Sequence, residues 1–384
     1  MGYVGVKPSA VPLTSADITD GIITSAKIVD GTIANSDISS TAAIAQSKIL
    51  GNPLTKNAII NGDFAVAQRG TSFTSSANND DVYTLDRWYI LSDGNDAIDV
   101  TQETTTVPTN QLTAIALDVE TANKKFGIAQ IIEQKNCVGL IGNTVTLSFK
   151  AKVSATTKLD NVKCAIVAWS GTADTVTSDI ISAWGAEGTN PTLIANATYE
   201  NTPANLNVTT SYATYSVSAA VDTASTKNII VFIWSDVTDT TAGDFLYITD
   251  VQLEKGSAAS DFEFLPIDVN LGRCFRYYEK SYNLTTNPAT ATEDGAEQLN
   301  GLQSGSKQIR MISRFKVRKR ATPTITFYDT AGNSARYGEF NDGALTSDII
   351  PGGVILTTDT SFLLYRSSTT ATGATYHYVA NGEL

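Results

Sequence analysis

The chain reads as an all-β protein on three observations. Its 384 residues are rich in Thr, Ser, Asn, Val and Ile and poor in Leu, Met, Lys and Glu, a bias toward strands and turns. From about residue 56 onward, short apolar or alternating runs recur between clusters of Gly, Asn, Asp, Ser and Thr. Between 56 and 267 no ten-residue stretch shows a convincing helical period. The expected architecture is an N-terminal repetitive fibrous stalk, a central β-sandwich of jelly-roll type, and a C-terminal β domain preceded by a short helix.

Taken in order, residues 1–13 form an extended segment, with Pro8 and Pro12 holding it open. Residues 14–55 contain a repeat. Ile18, Ile23, Ile28, Ile33, Ile38, Ile44 and Ile49 fall five residues apart, with one six-residue step. Asp20-Gly21 and Asp30-Gly31 place turn signals at one phase. Period five fits neither a helix nor a flat strand. It fits a chain that turns regularly and shows one apolar residue per turn. One such chain cannot bury its isoleucines, whereas three wound about an axis can, each Ile meeting its symmetry mates. An intertwined homotrimer is expected; the alternative is a linker whose regularity is accidental.

Residues 56–267 form the sandwich. Ala58–Ile60 and then Phe64 and Val66 read as opening strands around an Asn61-Gly62 turn, and Asp86-Arg87-Trp88 starts another strand beside an ion pair. Further strands are expected at 97–103, 112–119, 126–134, 143–153, 161–169, 178–184, 213–220, 227–235 and 244–254. Leu265-Pro266 marks a boundary, and residues 268–384 make the C-terminal domain. Leu271, Phe275, Tyr278 and Tyr282 lie at helical spacing, predicting a helix over 268–282 capped by Asp268 or Asn270. Strands return at 307–319, 323–329, 353–357, 361–366 and 374–380.

The net charge of −12 argues against nucleic acid as a partner. It is unevenly spread: residues 269–384 carry 12 Lys/Arg against 10 Asp/Glu, and the remainder 15 against 29. Cys137, Cys164 and Cys274 are odd in number and lack metal spacing, so neither a disulfide framework nor a zinc site is expected. The start, MGYVGVKPSA, has no apolar run, so no signal peptide is expected, and no apolar stretch is long enough for membrane insertion.

NAIINGDF, QRGTSF and VYTLDRW (57–88) resemble the NxxINGDF…QRGTSF…YxxDRW opening of a domain common in phage tail-fibre and virion proteins, a sandwich similar to bacterial carbohydrate-binding modules. FLYITDVQLEKGSAASDFE (Phe245–Glu263) resembles its closing piece. GYVGVKP…VPLT and the isoleucine repeats are similar to the starts of cyanophage-type fibre proteins. GRCFRYYEKSY, RATPTITFYDTAGN and GATYHYVANGEL resemble the C-terminal domain of the same proteins. The resemblance implies a virion protein assembled in the bacterial cytoplasm. Residues 1–13 would dock on other proteins of tail, neck or head, and the β domains would contact host-surface polysaccharide or lipopolysaccharide. It also implies a structural calcium of the kind such sandwiches hold between opening segment and last strand, here Asp63 and Asp250. The alternative for these carboxylates is a turn cap for Asp63 and an arginine partner for Asp250.

Catalysis is not expected, and no cofactor beyond that calcium. His377 is the lone histidine, and no GxSxG, HExxH or CxxC is present. For a sugar, exposed aromatics would stack on C–H faces. Trp88, Trp169 and Trp234 end or follow buried-strand runs. Trp184 precedes the turn Gly185–Gly188 and is the leading stacking candidate, with Tyr199, Tyr212 and Tyr215, which fall in a polar region, as secondary candidates. In QIRMISRFKVRKR, Ile309, Met311, Phe315 and Val317 fall on one face and Arg310, Arg314, Lys316 and Arg318 on the other. That basic face suits phosphates or uronates, or acidic residues of its own or a neighbouring subunit.

The expected function is a non-enzymatic bacteriophage fibre that adheres to host glycans by multivalent contact. The alternatives are a purely structural head, neck or collar fibre, or a cellular carbohydrate-binding adhesin module.

Overall fold

A computed structural model describes residues 28–29, 37–38 and 56–384, apart from 301–306, 342–343, 350–353 and 369–371. The chain divides into two compact units, Met1–Leu54 and Thr55–Leu384. In the first, Ile28 and Ile38 are exposed; Ile18, Ile23, Ile33, Ile44 and Ile49 lie outside the described residues, as does the expected trimer contact.

The second unit is all-β, as expected. Its first strands are β1 (Ser72–Phe73), β2 (Tyr89–Ser92), β3 (Ile98–Glu103), β4 (Ala114–Val119), β5 (Phe126–Ile132), β6 (Thr144–Val153), β7 (Val162–Trp169), β8 (Ile181–Ala183), β9 (Thr192–Leu193), β10 (Ala197–Tyr199), β11 (Ala213–Ala220), β12 (Asn228–Ser235) and β13 (Phe245–Lys255). Two antiparallel sheets result, in orders β1-β3-β4-β13-β6-β11 and β10-β7-β12-β5-β2, with a small β8-β9 hairpin. Alternation explains their packing. Leu117, Leu147 and Leu246 of the first sheet meet Ile128, Ile166 and Val231 of the second in one core.

The two sheets differ on their outer faces. Strands β5, β7 and β12 are buried at every position, because a second apolar cluster around Trp169, Trp184, Phe232 and Trp234 covers the outer side of their sheet. Strand β11 of the first sheet is instead exposed or half-buried at every position but Ala219, the pattern of a sheet that faces water on one side.

The opening segment is not regular strand. Asn61 sits at φ 57° and Phe64 at 57°, and side chains replace ladder hydrogen bonds. Asn61 Nδ2 donates to the carbonyls of Val66 (2.9 Å) and Asp86 (3.0 Å), and its Oδ1 accepts from Val66 N. Trp88 Nε1 donates to Asn61 O at 2.9 Å. Gly62 is required by closeness rather than by φ, since a Cβ there would lie 2.1 Å from Val251 O. Asp86 and Arg87 do not pair with each other. Asp86 accepts from Gln68 N (2.6 Å) and Nε2 (2.5 Å).

The connecting helix α2, after a single turn α1 (Gln134–Cys137), runs Ile267–Phe275, shorter than the sequence predicts. Its N-cap is Pro266, with no side-chain cap, so neither Asp268 nor Asn270 plays that part. Asn270 is buried and bridges Asn61 N (3.1 Å) and Asp63 Oδ1 (3.1 Å). Its buried neighbours Cys274 and Tyr277 follow at helical spacing. Tyr278 belongs to a strand because Tyr278–Lys280 finds a ladder partner at the chain's end.

The C-terminal strands are β14 (Tyr278–Lys280), β15 (Glu297–Asn300), β16 (Lys307–Arg314), β17 (Thr324–Tyr328), β18 (Tyr337–Asn341), β19 (Ala344–Ile349), β20 (Val354–Thr357), β21 (Ser361–Ser368) and β22 (Gly373–Asn381). β22 is the axis. Its first half pairs with β15 and β18, its second with β14 and β17. A separate sheet, β16-β21-β20, packs Met311, Phe362 and Leu364 against Tyr376 and Tyr378.

The sandwich and the C-terminal sheets lock through buried charges. Glu383 pairs with Arg69 (3.0 Å) and with Arg87. The Arg69 guanidinium lies 3.8 Å from the Tyr278 ring centroid and that of Arg87 3.7 Å from Tyr277. Glu133 accepts two hydrogen bonds from Arg276 (2.8 and 2.6 Å) and one from Tyr277 Oη; burial would raise this carboxyl, but these donors hold it below its ordinary value. Replacing Glu383 by Ala strands two cations in the interior and is expected to lower stability by about 3–5 kcal/mol. Urea denaturation of the two chains measures it, and a loss under about 1 kcal/mol would contradict this account.

Candidate functional site

The aromatic residue favoured from sequence is not a platform. Trp184 is buried edge-on against Phe232, their centroids 6.0 Å apart. The Gly185–Gly188 turn is tied down from below. Buried Lys125 pairs with Asp236 at 2.5 Å and donates to Ala186 O at 2.8 Å, while Asp236 Oδ2 accepts from Lys163 Nζ (2.7 Å) and Gly188 N (3.0 Å). Charges distant in sequence thus hold the loop that reads locally as flexible. Tyr199 lies half-buried against the same cluster, its hydroxyl donating to Pro191 O at 2.8 Å.

The open surface is the outer face of the first sheet. Along β13, Leu246 and Ile248 point into the core, so Phe245 and Tyr247 point out, their rings stacked at 5.5 Å and 11°. Tyr247 pairs across the ladder with Lys152 on one side and Ala116 on the other. The Lys152 ammonium lies 5.4 Å from the Tyr247 ring and 5.9 Å from that of Tyr212. Tyr212 is fixed by donating to Thr106 O at 2.8 Å.

The same face continues into a cleft of about 420 Å³, lined in part by Gln111, Lys150, Thr214, Asp250, Asp261 and Phe264. A bulge creates its floor: β13 shifts register between Thr249 and Gln252, and Asp250 takes φ 56°. Val251 then enters the core and Asp250 meets Lys150 (2.8 Å) and Gln111 Nε2 (3.0 Å). Phe264 is exposed on the rim. Aromatic faces beside carboxylate, amide and ammonium groups are what a sugar requires: flat apolar contact for C–H faces and hydrogen-bonding groups for hydroxyls.

Asp63 and Asp250 do come near each other, since Asp250 adds to the upward shift of Asp63, which burial dominates. Asp63 Oδ1 accepts from Asn270 Nδ2, and Asp250 is neutralised by Lys150, a lysine where the sequence suggested an arginine. Among the described residues no cluster of three or more His, Cys, Asp or Glu could hold a metal. With Asp250 paired to the Lys150 ammonium and Asp63 taken up by the Asn270 amide, both carboxylates are already engaged within the protein, and the donor set does not fit a calcium ion.

The basic run alternates as read, but the strand ends at Arg314. Met311, Ser313 and Phe315 are buried, and Arg310, Ile312, Arg314, Lys316 and Arg318 are exposed. Arg310 lies 5.8 Å from the Tyr365 ring, and Arg318 pairs with Asp359 at 2.6 Å. Val317 is half-buried; nothing is described of the Ile309 side chain. The charges therefore split: Arg310 and Arg314 share a sheet face, Arg318 is neutralised, and Lys316 turns toward Lys280.

Phe245, Tyr247, Lys150 and Lys152 are not among the residues expected from sequence. The signal was present, because Phe-Leu-Tyr-Ile and Lys-Ala-Lys each put their polar or aromatic members at alternate positions.

His377 is buried and stacked on Tyr282 at 3.8 Å. Its Nε2 meets Thr292 O at 3.0 Å, which can only accept, so Nδ1 accepts from Ser281 Oγ at 3.1 Å. Ser281 Oγ in turn accepts from Tyr378 N. Burial lowers the pKa of His377 from 6.5, with Thr292 opposing. The unfolded chain thus takes up a proton before the folded one does, and this stability is present above about pH 6.5 and lost as pH falls below it. Urea midpoints at about pH 7.5 and about pH 5.5 are expected to show a smaller acid loss in His377→Gln than in the unchanged chain; equal losses would contradict the assignment.

No protein-family model matches the chain, and no curated relative matches it. Solved structures similar to part of it include the enzymatically active domain of tailspike protein 4 of bacteriophage CBA120. That match has 16% identity and a TM-score of 0.30 over 52% of this chain, and spans 21% of the tailspike domain. A family 4 carbohydrate-binding module is similar at 13% identity and TM-score 0.28, covering 51% of this chain and 98% of the module. The CBM22-1 xylan-binding domain of Paenibacillus barcinonensis Xyn10C is similar at 11% identity and TM-score 0.28, covering 50% of this chain and all (100%) of that domain.

Proposed function

We propose that this chain is a non-enzymatic glycan-binding protein of a bacteriophage virion, a fibre whose sandwich holds host-surface polysaccharide on the outer face of its first sheet. The observation that carries the binding role is the Phe245–Tyr247 pair beside Lys152, running into the cleft over Asp250 and Lys150. The virion setting rests on the resemblance of 57–88, 245–282 and 315–384 to phage fibre proteins. Weak single contacts gain avidity when copies share a stalk, the role assigned to the isoleucine repeat at 14–50.

A microarray of bacterial surface polysaccharides is expected to retain the intact chain on a defined subset of glycans. Tyr247→Ala removes a half-buried ring from a solvent-facing position and is expected to weaken that retention about tenfold while leaving the melting temperature within a few degrees. Absence of any retained glycan, or equal retention by the variant, would defeat the proposal. Light scattering of the purified chain is expected to return three times the monomer mass; a stable monomer would remove the stalk assembly.

A further inference from the structure

A second cavity, of about 210 Å³, lies away from the sheet face, between the opening segment, α2 and the loop after β14. Gln68, Leu271, Phe275, Lys280, Asn283 and Lys316 contribute to its walls. Its charge is unusual. Among the described residues the buried cations Arg87, Lys125, Lys163 and Lys319 each face a carboxylate. Lys280 is just as buried but has no such partner. Its Nζ donates to the neutral carbonyls of Leu284 (2.9 Å) and Thr286 (2.6 Å), leaving one N–H unused. Lys316, the second ammonium, is held by Lys280 O at 3.3 Å and likewise forms no ion pair among the described residues.

A further buried group is unmatched at this cavity. Gln68 Nε2 donates to Asp86 Oδ1 and Tyr278 O, two groups that only accept, which settles the orientation of the amide. Its Oε1 is then a buried acceptor without a donor. A buried unpaired acceptor and an unneutralised ammonium are each expensive alone.

We propose that this cavity binds one acidic monosaccharide unit of the hexuronate class. The carboxylate sits between Lys280 and Lys316, and an apolar edge of the ring rests on Leu271 and Phe275. Size favours a single ring, since about 210 Å³ falls below the roughly 300–1,000 Å³ of pockets that hold larger ligands. A free phosphate would leave most of the cavity empty, and its second charge would face Asp86 behind Gln68. Burial lowers the Lys280 ammonium to about 8, with Asp86 opposing and Lys316 adding to the shift; a bound carboxylate relieves the burial and the repulsion together. The site is independent of the sheet-face cleft, and either can fail without the other.

The test titrates the intact chain calorimetrically with sodium glucuronate, methyl glucoside and inorganic phosphate. Glucuronate is expected to bind saturably, and the glucoside at least about tenfold more weakly. Lys316→Gln, at an exposed position that leaves folding intact, is expected to weaken glucuronate by at least about tenfold, and Tyr247→Ala to leave it unchanged. No saturable glucuronate binding, tighter binding of phosphate, unchanged affinity in Lys316→Gln, or loss in Tyr247→Ala would each overturn the assignment.

Discussion

The pairing of Glu383 with Arg69 and Arg87 is the contact on which the larger unit depends. It joins the second-to-last residue of the chain to the first turns of the sandwich, across 296 residues in the case of Arg87. Two guanidinium groups in the interior are tolerable only because a carboxylate and the faces of Tyr277 and Tyr278 surround them. The ring positions are set in turn by Glu133, which holds Tyr277 and Arg276 from the far side. Sandwich, connecting helix and terminal strand β22 therefore share one polar core, and Leu384 O accepts from Tyr83 Oη at its margin.

A consequence is a division of labour between the two sheets. The sheet containing β5, β7 and β12 spends both faces on packing, with Trp184 and the terminus closing its outer side. The sheet containing β13 and β6 buries one face throughout and leaves the other open around Phe245, Tyr247 and Lys152. Solvent-facing aromatic and charged side chains can collect only where a face stays open, as the aromatic pair on β13 and the lysines on β6 do. The bulge at Asp250 then turns a flat face into a cleft by giving one residue of an otherwise regular strand the opposite direction.

Much of the strand pattern was legible. Runs such as Val162–Trp169 and Asn228–Ser235 are mostly apolar because both sides are buried, and the predicted limits fall within a residue or two of the observed ones. Short edge strands such as β9 and β10 were not legible, since two or three residues carry no period. The helix was legible but its end was not: Tyr278 continues the helical spacing, yet the ladder offered by β22 outweighs it.

The sequence by itself determined the fold class, the position of most strands, and the alternation that puts Arg310 and Arg314 opposite Met311. These are local properties, set by side-chain period and turn chemistry. The tertiary structure alone decided which exposed-looking residues are covered and which charges are spent. Trp184 is buried because Lys125 and Asp236, 111 residues apart, pin its loop. Lys280 forms no ion pair because the chain brings carbonyls rather than a carboxylate into contact with it. Both outcomes depend on pairings between distant segments, and no local pattern encodes those.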